Sequence, residues 1–141
     1  RGPQDPVVSH RVVSEQVADS MLRMLEMASG PEGTAIKAQV QGYRVAGKTG
    51  TAHKQEGGRY INKYVSSYVG LAPVSDPRVI VAIMVDEPKG GVYYGGLVAA
   101  PVFSTITKSV LTRLNVQPDA IESTEQLRKF VAAPTPEGSR L

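Results

Sequence analysis

At 141 residues the chain is long enough for one modest domain or for a portion of a larger one. Hydrophobic residues make up 41% and charged residues 21%, which excludes a disordered tail. A net charge of +3, carried on scattered Lys and Arg with no basic stripe among the tyrosines, excludes a nucleic-acid partner, and the absence of Cys excludes disulfides and thiolate metal sites.

In chain order, residues Arg1 to Val8 hold two prolines and a glycine and read as an extended entry segment. Ser14 fits a helix cap, because its hydroxyl oxygen can accept from the orphan amide of Gln16 or Val17. Val17, Met21, Leu25 and Ala28, with Leu22 and Met24 beside them, predict an amphipathic helix that Gly30-Pro31 stops. Gly33 to Gly42 is a connector with room for one helical turn at Ala35 to Ala38.

Tyr43 to Ala52 lacks helix formers, and its β-branched and aromatic residues predict a strand. Gln55 to Arg59 is a Gly-rich polar loop, and Tyr64 to Ala72 resumes a strand. After a turn at Pro73 to Pro77, the aliphatic run Arg78 to Val85 predicts a central, buried strand, joined to the previous one as an antiparallel hairpin. A loop from Asp86 to Gly96 carries two glycine pairs. A long helix over Val98 to Leu114 follows, with Pro101 in its first turn and an apolar stripe of Val102, Ile106, Val110 and Leu114. The tail beyond has one weak helical stretch, Thr124 to Val131, and a polar end expected to be disordered.

The longest apolar run, Val79 to Val85, is too short to span a bilayer, and no leader precedes a cleavage site. If the protein is exported or anchored, the signal is expected outside this chain.

Two motifs overlap at one lysine. Gly42, four residues and Gly47-Lys48-Thr49 satisfy the phosphate-loop pattern G-x-x-x-x-G-K-[ST], and Val79 to Glu87 imitates a Walker B strand. The physics disagrees. Tyr43, Arg44 and Val45 favour an extended backbone over a flexible nest, and Gly50, Gly57 and Gly58 oppose the helix that must open behind a phosphate loop. Lys48-Thr49-Gly50-Thr51 is also a K-T-G box. On an extended strand, Lys48 projects an ammonium into a cleft while Thr49 and Thr51 share a face, so all three can hold one carboxylate. Gly50 lets a substrate backbone lie close, and the Thr51 amide is available as an oxyanion donor. Four residues alone read more readily as a polar strand bearing a surface lysine.

More than four residues match. The runs Gly42 to Ala52, Gly58 to Tyr64, Gly70-Leu71-Ala72-Pro73 with Asp76-Pro77-Arg78, Tyr93-Tyr94-Gly95-Gly96 and Ala100-Pro101-Val102-Phe103 stand in family order between about Arg11 and Asp119. In these the chain resembles the C-terminal part of the transpeptidase domain of class B penicillin-binding proteins of the septal type. The resemblance implies an α+β fold of the penicillin-binding protein and serine β-lactamase kind, with antiparallel strands flanked by helices. Residues 1–118 would be the C-terminal portion of that domain and 119–141 a tail. It implies a serine D,D-transpeptidase that acylates on a D-Ala-D-Ala stem peptide, cross-links the septal wall and is inhibited by β-lactams.

Carried onto this sequence, the catalytic strand is Lys48, Thr49, Gly50 and Thr51, and the substrate-binding residues are Lys48, Thr49, Thr51, His53, Tyr94 and Gly95. No cofactor and no metal are implied. The implied partners are stem peptides, β-lactams, the remaining part of the domain and divisome membrane proteins such as the septal glycosyltransferase. The implied location is the periplasmic face of the inner membrane, with an N-terminal anchor outside this chain.

The pattern is incomplete. No Ser is followed by Lys three residues later and no Ser-x-Asn occurs, while Ser104 to Lys108 is one residue too long to substitute. The family's nucleophile and base are thus missing, and the chain by itself is expected to be an inactive fragment. Two other classes stay open: a carboxypeptidase or β-lactamase-like hydrolase, and a non-catalytic module that kept the carboxylate cradle. His53 reads either as a substrate contact or as an exposed histidine, and Tyr94 either as a wall for the donor or as packing. Asp86 and Glu87, adjacent at a strand end, read as solvated charges pointing apart, and Arg59 and Lys63 as surface charges able to meet an anionic glycan.

Overall fold

The computed structural model describes residues 10–120, so the entry segment and the tail's expected helix lie outside the described residues. Helix α1 (Glu15–Ser29) starts at Ser14, whose Oγ accepts from the Val17 amide at 3.3 Å, with Glu15 favourably placed in the first turn. It stops at Gly30, whose amide closes on the Met27 carbonyl at 3.0 Å. One 3₁₀ turn, Ile36–Ala38, falls in the connector where a helical turn was expected.

Strands β1 (Ala46–Glu56) and β2 (Arg59–Ala72) form a long antiparallel hairpin. The expected five-residue loop between them shrinks to Gly57-Gly58, both with positive φ, the geometry that a two-residue hairpin turn requires. Tyr43 to Val45, expected in the strand, precede it, and the Tyr43 ring is buried, with its hydroxyl donating to the Val116 carbonyl at 2.8 Å. Strand β3 (Val79–Asp86) pairs antiparallel with β2, giving the order β1-β2-β3 among the described residues. β3 is therefore an edge strand here and not the central one expected. Its burial alternates, with Ile80 and Met84 74% and 76% exposed on the face away from the helices.

Helix α2 (Gly95–Arg113) lies across the other face. It begins three residues earlier than Val98, so Pro101 sits in its second turn and not its first. Its buried stripe is Ala99, Phe103, Thr107 and Leu111, one residue removed from the expected stripe, of which Val102, Ile106 and Leu114 are exposed. Small Ala99 and Ala100 let the helix approach the sheet, where the Phe103 ring meets Tyr68 edge-on at 4.7 Å. Burying Phe103 and Leu111 is worth roughly 1.5–3 kcal/mol each. On α1 too the expected stripe is split: Leu25 and Ala28 face inward, while Val17 and Met21 are about half exposed.

A buried hydrogen-bond chain fastens α1 to the sheet. Ser29 Oγ donates to the Gly47 carbonyl at 3.3 Å and lies 2.7 Å from the Tyr68 hydroxyl. Since serine has a single hydrogen, Tyr68 is the donor to Ser29. Burial pushes the Tyr68 phenol above its ordinary range, so it remains a donor at neutral pH. On the surface, Arg44 grips Glu26 of α1 with two bonds of 2.7 Å, and the Asp119 carboxylate collects the Arg44 amide and the Ser75 amide and hydroxyl. Both contacts anchor the chain just before β1.

Tyr68→Phe keeps the ring and deletes only the bond to Ser29, so a loss of about 1 kcal/mol is expected in denaturant unfolding. Tyr68→Ala also removes the ring beneath Phe103, and a loss of about 3–5 kcal/mol is expected in the same measurement.

Candidate functional site

Residues Gly47 to Ala52 are extended and lie on β1, an edge of the sheet, with further strand and no helix behind them. The phosphate-loop alternative is excluded by this geometry. The pleat puts Thr49 and Thr51 on the helix-facing side and Lys48 on the other. Lys48 nonetheless reaches around the free edge, its Nζ donating to the Thr49 carbonyl at 3.1 Å and to Thr49 Oγ1 at 3.2 Å. It has no carboxylate partner among the described residues, unlike Arg44, Lys54 and Lys63. An exposed ammonium and two hydroxyls thus line one strand edge, in the donor set that an anion requires.

Helix α2 builds the site from beneath. Its Gly95 amide donates to Thr51 Oγ1 at 3.1 Å. A Cβ on Gly95 would lie 2.3 Å from the Ser67 carbonyl oxygen and 2.5 Å from that of Gly50, so only glycine lets the helix start rest on the two strands. The Gly95-Gly96 pair, expected in a loop, is this helix start. Gly50 is set against Ser67 across the register, whose Oγ occupies the space that a Gly50 side chain would need. Thr34, which no local pattern singles out, comes from the connector to place its Oγ1 3.3 Å from Thr49 Oγ1.

Beyond Thr51 a row of rings continues the site. His53 is inside β1 and not at its end. It lies 4.4 Å from Tyr64, Tyr64 stacks on Tyr93 at 3.8 Å, and Tyr93 leans on Tyr94 at 4.6 Å. Tyr94 is 56% exposed, and its phenol is raised above the ordinary range by its hydrogen bond with Tyr93 and by the charge that Tyr93 would carry beside it. Ser66 Oγ donates to the Tyr93 carbonyl and ties this row to β2.

Asp86 and Glu87 do not point apart. Both reach Lys54 Nζ, at 3.1 and 2.8 Å, and Glu87 also pairs with Lys63 at 3.3 Å. The positive φ of Glu87, 49°, turns its side chain back toward β1. Lys63 is thus engaged, whereas Arg59 shows no ion pair among the described residues. A cavity of about 970 Å³ between α1 and the segment before β1, lined by Glu26, Met27, Tyr43 and Arg44, contains none of these site residues.

The family described as the penicillin binding protein transpeptidase domain matches residues 3–108. The peptidoglycan D,D-transpeptidase FtsI of Escherichia coli K12 is 43% identical over 127 residues, which are 89% of this chain and 21% of that protein. Stage V sporulation protein D of Bacillus subtilis is 42% identical over 116 residues, 82% of this chain and 18% of that protein. Among solved structures, the apo TP domain of Burkholderia pseudomallei penicillin-binding protein 3 superposes with a TM-score of 0.75 at 47% identity, covering 83% of this chain and 36% of that one. The chain thus spans about a fifth of the length of the curated relatives it matches.

The charge latch has a pH window. Hydrogen bonds from Lys54 and Lys63 hold the Glu87 carboxyl below its ordinary range, so its contribution is complete above that range and is lost as pH falls through the lowered value. Hydrogen bonds from Glu87 and Asp86 hold Lys54 above its ordinary range, so its contribution is complete below that range and is lost as pH rises through the raised value. Amide protection factors across the β1–β2 hairpin tip, with the intrinsic pH dependence of exchange divided out, should therefore be highest between the two limits and fall on the acid side. Glu87→Gln should shrink the acid-side change, leaving only the share that Asp86 holds through Lys54.

Proposed function

Because the chain belongs to the penicillin-binding protein transpeptidase family, we propose that it supplies the carboxylate-binding strand of a peptidoglycan D,D-transpeptidase that works in septal wall synthesis. The observation that carries this reading is the Lys48 ammonium, without a carboxylate partner among the described residues and 3.2 Å from Thr49 Oγ1 on an extended edge strand. That arrangement suits the terminal carboxylate of a D-Ala-D-Ala stem peptide, and the ring-fused carboxylate of a β-lactam equally well.

Lys48, Thr49 and Thr51 hold the anion, so the scissile carbonyl of the donor falls beside the strand. The Thr51 amide is one donor to the oxyanion that forms when a serine attacks. That serine and its lysine base have no counterpart in this sequence, which contains neither Ser-x-x-Lys nor Ser-x-Asn. They belong to the remaining part of the domain, against which the exposed Ile80 and Met84 face offers an apolar surface. The serine is acylated with loss of D-Ala, and an amine of a neighbouring stem then takes the acyl group. The row His53, Tyr64, Tyr93 and Tyr94 walls the donor side chain. The same reading places the complete protein at the periplasmic face of the inner membrane, beside a septal glycosyltransferase. Among the described residues no helix is long and apolar enough to cross a membrane.

Fluorescent penicillin should label the complete protein, or this chain reassembled with the portion that bears Ser-x-x-Lys, and should leave the chain alone unlabelled. Thr51→Val should slow acylation about ten- to a hundredfold, the worth of a charge-assisted hydrogen bond. Labelling of the isolated chain, or a Thr51→Val protein as reactive as the parent, would refute the reading.

A further inference from the structure

We propose that Thr34 is a positioning residue for the carboxylate cradle, turning it into a site that only donates hydrogen bonds and so selecting an ionised carboxylate over an ester or amide end. The proposal rests on the reading of Lys48, Thr49 and Thr51 given above and adds a residue outside the strand.

The argument is a hydrogen inventory. A threonine hydroxyl has one hydrogen to give and two lone pairs to receive. Thr51 Oγ1 already accepts from the Gly95 amide, which can only donate, so the Thr51 hydrogen is left for an outside acceptor. Thr49 Oγ1 accepts from Lys48 Nζ at 3.2 Å, which likewise can only donate. Its second neighbour is Thr34 Oγ1 at 3.3 Å, and Thr34 makes no other side-chain bond among the described residues. When Thr34 donates to Thr49, both lone pairs of Thr49 are filled and its hydrogen too must find an acceptor outside. The two threonines then present matching O–H groups beside an ammonium. An ionised carboxylate, which only accepts, satisfies all of them, whereas a carboxamide brings an NH₂ that meets donors and an ester forfeits the charge.

Thr34 is well placed to hold this contact. The Ala35 amide bonds back to the Ala28 carbonyl at 3.2 Å and Ala35 is fully buried. On the other side a Cβ on Gly96 would come within 2.2 Å of the Thr34 carbonyl oxygen, so the start of α2 presses directly on this peptide. The backbone is thereby fixed, while the side chain is exposed and open to substitution without disturbing the core.

The test compares acylation of the complete protein by benzylpenicillin and by its methyl ester, read as second-order rate constants by mass spectrometry. Thr34→Val should slow the acid about three- to tenfold, the worth of one neutral hydrogen bond, and leave the ester within about twofold. Thr34→Ser should restore the acid rate, and the melting temperatures of all three proteins should agree. Equal slowing of acid and ester by Thr34→Val would reduce Thr34 to a structural role and overturn the proposal. So would an unchanged acid rate in Thr34→Val alongside a slowed Thr51→Val. If neither variant slows the acid, the cradle reading itself falls, and the proposal with it.

Discussion

The segment from Gly47 to Ala52 has to stay extended along the rim of the sheet, because only then do an ammonium on one face and two hydroxyls on the other meet at a common edge. Much of the surrounding fold bears on that requirement. Ser29 of α1 donates to the Gly47 carbonyl and is itself held by the Tyr68 hydroxyl of β2. Arg44 and Asp119 moor the backbone just before the strand, and Lys54 fastens its far end to β3. Between these moorings, the start of α2 presses against the strand with two glycines and reaches Thr51 with an amide.

This arrangement explains why packing and chemistry cannot be separated here. The same Gly95 that allows close approach of helix to sheet also presents the amide that fixes the direction of the Thr51 hydroxyl. A helix start carries partial positive charge, so the contact polarises the hydroxyl as well as orienting it. For the carboxylate cradle proposed above, both effects act in one direction. The apolar surface left on the opposite face, with Ile80 and Met84 exposed, fits a chain that spans 36% of the solved TP domain it resembles.

Local chemistry made the K-T-G strand legible in the sequence, since Thr49, Thr51 and the surrounding glycines oppose a helix and favour a pleat. The loop after the first strand was legible from its glycines, though it proved tighter than expected because two positive-φ residues suffice to reverse the chain. The antiparallel hairpin expected from sequence is the β2–β3 pair. The helix stripes were misjudged for a physical reason. Val102 and Ile106 are more apolar than Ala99 and Ala100, but close packing on a sheet selects small side chains. Pattern reading ranks transfer free energy and is blind to the space available. The convergence of Asp86 and Glu87 on Lys54 depends on one left-handed residue, which no period reveals. Thr34 was invisible for another reason: its partner Thr49 is adjacent only after the connector folds beneath α2.

The most direct measurement is a crystal structure of the complete protein acylated by benzylpenicillin. The account predicts the drug carboxylate within about 2.5–3.0 Å of both the Thr49 and Thr51 hydroxyls, with Lys48 alongside. A carboxylate turned to solvent, or held by residues away from β1, would contradict it.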